Sequence, residues 1–440
     1  MARRVLIVSP HFPPFNAPDH QRIRMSLPYF EAFGWNPWIL TVETETIAGT
    51  KDPWLLKTVP ETIPITQTPA LPIKLTQRVG LGNIGWRCLP YFLQIGDRLL
   101  KEQKFDLIYF STTVFLTMGL AARWRQRFDV PYILDFQDPW RSDYYQNART
   151  AERPGGRFKY GFAQTVAKTL EPRAMRQVSH VISVSAAYPQ TLKQRYSWLR
   201  DDQFTVLPFG APEADFEQLP TLGIKQHIFD PKDGKRHWVY VGRGGADMAF
   251  SLRSLFSTIR QERDRNPEAW QSIQLHFVGT SYATDDRAEK TIEPIAQELG
   301  IGDLVREHTV RIPYFEALQT LVDSDAIVLI GSDDPSYTAS KLYPCILARK
   351  PILAIFHEAS SVVSILRSTQ AGQAVTFNAQ TTCEQLQPSI AQALNRLIAL
   401  PRSFQPDTDW SAFAPYTAKE MTRQQCTIFD RCLLPTPVPS

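Results

Sequence analysis

Apolar and polar positions alternate between two regimes along this chain. Short, almost continuous apolar runs stand at 4–9 ("RVLIVS"), 37–42 ("PWILTV"), 106–111 ("DLIYFS"), 131–136 ("PYILDF"), 180–185 ("HVISVS") and 204–210 ("FTVLPFG"), with helical spacing between them. Such alternation predicts parallel strands joined by crossover helices. A second set follows at 237–242 ("HWVYVG"), 273–279 ("IQLHFVG"), 308–313 ("HTVRIP"), 325–331 ("DAIVLIG") and 351–356 ("PILAIF"). Between these, Leu252, Leu255, Phe256 and Ile259 fall at i, i+3, i+4 and i+7, and Tyr314, Leu318, Leu321 and Val322 at i, i+4, i+7 and i+8. Both spacings predict a helix with one face on a sheet. The Pro/Gly-marked stretch 211–236 has no period and predicts a linker.

The expected class is therefore α/β, with two Rossmann-like doubly wound domains facing a cleft. The first covers 1–210 and the second 237–410, and residues 411–440 form a helix crossing back to the first domain and a tail. Ligands of open α/β sheets bind outside the carboxyl ends of the strands, which points to the turns after each run.

Length and charge sharpen this picture. A chain of 440 residues exceeds what one core supports. Through Gly210 there are 26 Lys and Arg against 17 Asp and Glu, or +9, and the remainder has 22 against 27, or −5. This asymmetry points to a first half that meets a phosphate-bearing substrate or an anionic membrane face, or to surface charge unevenly shared. The five cysteines, Cys88, Cys345, Cys383, Cys426 and Cys432, show no zinc-ligand spacing and fit reduced thiols in a cytoplasmic protein. No stretch reaches 18 consecutive apolar residues, so any membrane contact is expected to be peripheral.

Three turns of the second set carry candidate chemistry. Gly242, Arg243, Gly244 and Gly245 follow one strand, Gly279 ends the next, and Ser340 and Lys341 precede the helical pattern Leu342, Cys345, Ile346 and Arg349. Glycines admit close approach of a ligand, arginine offers a fork for phosphate oxygens, and a helix N-terminus favours an anion. Taken singly, each reads equally as a tight turn with a solvated cation. In the first set, Asp135 and Asp138 end a strand in "PYILDFQDPWRSDYY", Asp135 reading as structural. Arg22 follows "PPFNAPDHQ", and His11 and His20 are polar loop histidines open to catalytic or merely structural roles. The aromatic and basic stretch 82–104 reads as a core helix with a wet face, or as a membrane-surface segment.

Together these turns resemble the family-4-type glycosyltransferases of the GT-B fold. The resemblance rests on "VGR" at 241–243, "FVG" at 277–279, "SKLYPCILARKPILAI" at 340–355 and "SPHFPPFNAPDHQRIRMSLPYFEAFGWNPWILTV" at 9–42. It implies a donor site for a nucleotide sugar built on Gly242, Arg243, Gly244, Gly279, Ser340, Lys341 and Leu342. It also implies an acceptor-side acid at Asp138, with Asn16, Arg22 and Arg141 as acceptor or anion contacts. The chain departs from the family where a diphosphate-binding lysine is usual five residues after the arginine, a position that is Met248 here, and Lys341 is the expected substitute. It departs again at the family's pair of glutamates, whose positions are Ser336 and Pro344.

The resemblance thus implies a sugar moved from a nucleotide-sugar donor to a hydroxyl of a glycan or lipid-linked acceptor, in cell-surface polysaccharide or glycolipid synthesis. No Asp-x-Asp motif argues for a metal, so neither metal nor cofactor is expected, and no nucleic acid. The expected location is the cytoplasm, peripheral at an anionic inner membrane face. A noncatalytic nucleotide-sugar or glycan-binding protein and a nucleotide-sugar epimerase of the same fold remain the alternatives.

Overall fold

Nearly every apolar run becomes a strand. The computed structural model describes residues 2–78, 80–141, 157–281, 288–334 and 341–434, with the backbone alone at 157–160. By contacts the chain divides into two units, Met1–Gly210 with Ala418–Ser440, and Ala211–Thr417. The 211–236 segment thus belongs to the second unit, and it holds a ten-residue helix, Glu213–Leu222, where the missing period predicted only a linker. The boundary near the C-terminus falls at Thr417 rather than 410.

The first unit is a seven-stranded parallel sheet of order β3-β2-β1-β4-β5-β6-β7, from β1 (Arg3–Val8), β2 (Trp35–Val42), β3 (Ile65–Thr68), β4 (Leu107–Ser111), β5 (Tyr132–Phe136), β6 (His180–Ser183) and β7 (Phe204–Val206). Both faces are covered. Leu6 and Val8 of β1 pack with Ile108, Phe110 and Trp124 in one cluster, and the alternate residues Val5 and Ile7 pack with Tyr109 and Ile133 in another. Period-two side chains buried on both sides explain why these runs are apolar throughout. The second face is closed by the Ala418–Leu433 helix, whose Met421, Cys426, Ile428 and Phe429 join that cluster. Its Gln425 sits in the same interior, accepting from Ser26 Oγ at 2.8 Å and donating to Tyr109 Oη at 3.1 Å.

The second unit is a six-stranded parallel sheet of order β10-β9-β8-β11-β12-β13, from β8 (Arg236–Val241), β9 (Ile273–Val278), β10 (Val305–His308), β11 (Ala326–Ile330), β12 (Ile352–His357) and β13 (Gln373–Phe377). Leu252, Leu255, Phe256 and Ile259 are buried on the Ala249–Arg265 helix, and Leu318 and Leu321 on the Tyr314–Asp323 helix, as their spacing predicts. The run at 308–313 is displaced. The strand is Val305–His308, and Val310 beyond it is 43% exposed.

In each sheet the strand order reverses at one place, between β1 and β4 in the first and between β8 and β11 in the second. Crossovers leave in opposite directions there, and a crevice opens at the carboxyl edge.

Candidate functional site

In the second unit, the chain leaving β8 and the chain arriving after β11 meet at that reversal. Gly242 follows β8 with φ +152°, and a Cβ at this position would run into the Lys341 ammonium. Lys341 therefore lies over glycine backbone that any side chain would block. Its Nζ donates to Tyr240 Oη at 2.7 Å and stands 4.6 Å from the Tyr240 ring centre. The Tyr240 hydroxyl in turn donates to the Arg243 carbonyl at 2.7 Å. Burial, with the nearby Arg243 and Arg311 charges also opposing protonation, brings Lys341 down to about 8 from its ordinary 10.5.

Arg243 holds Asp247 in a two-pronged ion pair, at 2.9 and 2.7 Å. Those hydrogen bonds bring the Asp247 carboxyl down to about 2, and its backbone carbonyl accepts from Asp333 N at 2.9 Å. The guanidinium is thereby aimed before any ligand arrives. Gly244 N donates to Thr280 O at 2.7 Å, which ties the β8 and β9 turns together. Gly279, at φ +72°, turns the chain beside the Arg311 backbone. A hydrogen-bonded Lys–Tyr–Arg group on glycine-floored turns can bind and neutralise a polyphosphate.

One donor-side expectation changes. Leu342 is 1% exposed, so its side chain belongs to the core rather than to a ligand. The short helix begins at Leu342 with Lys341 as its N-cap. Pro344 is thus its third residue, whose N–H would have no intrahelical partner in any case, and the proline costs the helix no bond. Ser340 and Ser336 lie outside the described residues. Met248, at the usual lysine position, is 1% exposed in the core. Asp-x-Asp sequences do occur, at Asp323–Asp325 and Asp407–Asp409, but away from the carboxyl edge. Asp325 accepts from His237 N at the start of β8, and Asp409 caps the Trp410–Phe413 helix.

In the first unit the reversal between β1 and β4 gathers His11, Asp19, Thr112 and Thr113. His11 Nδ1 lies 3.0 Å from Asp19 Oδ1, and Asp19 Oδ2 accepts from Thr112 Oγ1 at 3.0 Å and Thr113 N at 3.1 Å. Burial pushes the Asp19 carboxyl up, but the His11 hydrogen bond and charge and the Thr113 N–H together hold it below the usual range. With Nδ1 oriented by a carboxylate, the other ring nitrogen of His11 is left for exchange with a ligand. Asp138 follows β5 as an exposed residue whose carboxyl nevertheless sits in crowded surroundings. Desolvation, then the Asp19 charge, raises its pKa.

The other first-unit expectations resolve differently. Arg22 is not an open anion contact: it is wholly buried, donating through Nε to Asp135 Oδ2 at 2.8 Å and through its terminal nitrogens to the Leu207 and Pro208 carbonyls. Asp135 is structural, also accepting from Ser111 and Gln137. Arg141 turns toward the interior, 3.3 Å from Tyr196 Oη and 3.9 Å from the buried Glu171. Asn16 is half-buried in the β1 loop and anchored by its N–H to Thr50 O at 2.9 Å. His20 is buried, hydrogen-bonded to Phe15 O at 2.8 Å, and burial with the Arg24 charge brings it down to about 4. The 82–104 stretch is a core helix, Ile84–Glu102, with Cys88, Phe92, Leu99 and Leu100 buried.

Sequence reading passed over Tyr240, Asp247, Arg311 and Asp19. Only Asp247, four residues after Arg243, carried a local signal.

Residues 40–210 match the glycosyl transferase 4-like domain. No curated protein sequence matches the chain. Among solved structures, HepE of Anabaena in complex with UDP and glucose superposes with a TM-score of 0.56 at 14% identity, over 98% of this chain and 100% of that one. A UDP-forming α,α-trehalose-phosphate synthase from Burkholderia xenovorans superposes with a TM-score of 0.55 at 12% identity, over 98% and 100%. The N-terminal domain of trehalose-6-phosphate phosphatase from Candida albicans does so at 0.58 and 12%, over 98% and 97%. At these identities the likeness establishes the fold, two Rossmann-like domains.

Proposed function

From the premise of a glycosyl transferase 4-like domain in a chain of GT-B fold, we propose that this protein transfers a sugar from a nucleotide-sugar donor to an acceptor hydroxyl. The observation that carries the reading is the Lys341–Tyr240–Arg243 group at the carboxyl edge of the second sheet. There it holds the donor diphosphate and neutralises the charge that develops as the bond from the anomeric carbon to the diphosphate oxygen breaks. These cations serve in the place of a metal. The acceptor oxygen forms the new bond, and its proton passes to Asp138 or to His11, both at the carboxyl edge of the first sheet. The raised pKa of Asp138, caused by desolvation and then the Asp19 charge, makes its carboxylate a stronger base than an ordinary aspartate.

The basic balance of residues 1–210, +9, supports a phosphate-bearing, lipid-linked acceptor, and with it a cytoplasmic enzyme peripheral at the inner membrane face, serving cell-surface polysaccharide or glycolipid synthesis. Titration calorimetry with UDP is the first test, UDP being the nucleotide named with HepE. Saturable binding is expected. A folded protein that binds no nucleoside diphosphate at millimolar concentration would overturn the proposal. A donor panel with mass detection then separates transfer from the noncatalytic alternative, which the proline at position 344 favours, by whether the bound donor turns over.

A further inference from the structure

A buried carboxylate stands behind the donor-side turns of the second unit. Glu307 of β10 is 5% exposed. Its Oε1 accepts from Thr280 Oγ1 at 2.7 Å and Thr291 N at 3.1 Å, and its Oε2 accepts from Ile292 N at 2.8 Å and Glu293 N at 2.9 Å. Its own N–H donates to Glu293 Oε1 at 2.9 Å. Four neutral donors thus satisfy both oxygens, as a carboxylate taken out of water requires.

The sheet itself does not call for this carboxylate. β10 is joined to β9 by its backbone ladder from Val305 to His308. Val305, two residues earlier and on the same face, lies in the apolar core, so the period of the strand would place an apolar side chain at 307.

What Glu307 holds is the ground on which Arg243 stands. Thr280 O accepts from Gly244 N at 2.7 Å, and Val278 O accepts from Gly242 N at 2.9 Å. Arg243 is therefore bracketed by two backbone bonds to the 278–280 stretch, whose last residue Glu307 fixes through its hydroxyl. Thr291, also held by Glu307, places its Oγ1 within 2.7 Å of a Cβ built at Gly244, and the Thr280 Cβ lies 3.4 Å from the same point. The turn thus packs directly on both threonines. Gly279 N donates to the carbonyl of His308, the neighbour of Glu307 in β10, at 2.8 Å. One carboxylate ties the turn after β9 to the start of the Glu293–Glu298 helix and, through Thr280, to the turn after β8.

We propose that Glu307 is a positioning residue of the donor site, acting through Thr280 to fix the turn that aims the Arg243 guanidinium at the donor diphosphate. The proposal deepens the reading above and rests on it, since it assigns the carboxylate to the binding of a nucleoside diphosphate. A guanidinium set in advance binds without first being ordered, and a turn released from Thr280 loses that advantage.

Titration calorimetry of the full-length protein with UDP tests it. Thr280→Val removes one of the four donors at similar volume, and Glu307→Gln removes the charge and opposes donor to donor at one oxygen. Each should weaken UDP binding by about threefold to thirtyfold with unchanged circular dichroism, while Thr280→Ser, which keeps the hydroxyl, should bind like the parent. Because the effect passes through Arg243, adding Thr280→Val to Arg243→Ala should weaken binding no further than Arg243→Ala alone. Should Glu307→Gln not fold, the threonine variants decide. Parental affinity in Thr280→Val, an equal loss in Thr280→Ser, or losses that add in the double variant would overturn the proposal. Weakened binding in Arg243→Ala but not in Thr280→Val would remove Glu307 and leave the donor reading standing. A folded parent that binds no UDP would remove that reading and this proposal with it, so the two failures are distinguishable.

Discussion

The Lys341 ammonium donates to the Tyr240 hydroxyl at 2.7 Å, joining residues 101 positions apart into one site. Burial of that ammonium brings Lys341 to about 8. Only the protonated form attracts a diphosphate, so UDP affinity should fall as pH rises from about 8 toward 10, by up to about tenfold per unit. The Lys341→Arg variant, charged throughout, should flatten this dependence. Calorimetry across that range checks it, and a slope unchanged in Lys341→Arg would remove Lys341 from donor binding.

Arg243 and Lys341 should each matter singly. Arg243→Ala and Lys341→Ala are expected to weaken UDP binding by roughly tenfold or more, the scale of a lost charge-assisted contact. The melting temperature of Arg243→Ala should change little, because its ion pair with Asp247 is partly exposed. Unchanged affinity in both variants would assign the pair to surface structure.

What the sequence disclosed and what it concealed follow from locality. Gly242, Arg243 and Gly279 were legible because glycine and cation directly follow an apolar run, and the turn lies where the strand ends. Arg22 was misread as an anion contact because its partner Asp135 is 113 residues away, and nothing local distinguishes a buried arginine from a solvated one. β3 and β13 went unseen because their sequences, ITQT and QAVTF, are only half buried at sheet edges and lack the continuous apolar run of a central strand. β10 was displaced for the same reason: its residues alternate, and the more apolar positions just beyond it are exposed.

The Arg22–Asp135 pair supports the first unit from within, both side chains being fully buried. Asp135→Ala leaves the guanidinium charged and without its carboxylate, and should destabilise the first unit by about 3–5 kcal/mol. Urea unfolding monitored by tryptophan fluorescence measures this. A loss below about 1 kcal/mol, the range of exposed pairs, would contradict the buried geometry.

Buried histidines should make the fold acid-sensitive. Desolvation brings His20 and His180 to about 4, and His276 to about 3 with the His237 and His308 charges opposing its protonation. Each is lowered in the folded chain, so the unfolded chain binds the proton first, and stability is lost as pH falls from about 6.5 toward 4. The slope reaches about 1.4 kcal/mol per pH unit for each histidine. Replacing His276 with Gln should reduce the slope between pH 6 and 4, measured from urea midpoints. A slope equal to that of the parent would show that His276 does not titrate with unfolding.

Asp138 and His11 divide the acceptor side between two groups that the structure treats differently. Asp19 orients His11 at 3.0 Å, whereas Asp138 is exposed and has a raised pKa. If Asp138 accepts or orders the acceptor hydroxyl, Asp138→Asn should lower kcat by about 100-fold or more, the usual scale of general base catalysis. UDP affinity should stay unchanged, since the donor group is built from second-unit residues. His11→Gln should act on the same step, and Asp19→Asn should lower kcat by releasing the His11 ring from the carboxylate that orients it. A loss of UDP affinity in Asp138→Asn equal to its loss of kcat/KM would instead place Asp138 in donor binding, and a full rate in that variant with a lost rate in His11→Gln would transfer the proton to His11.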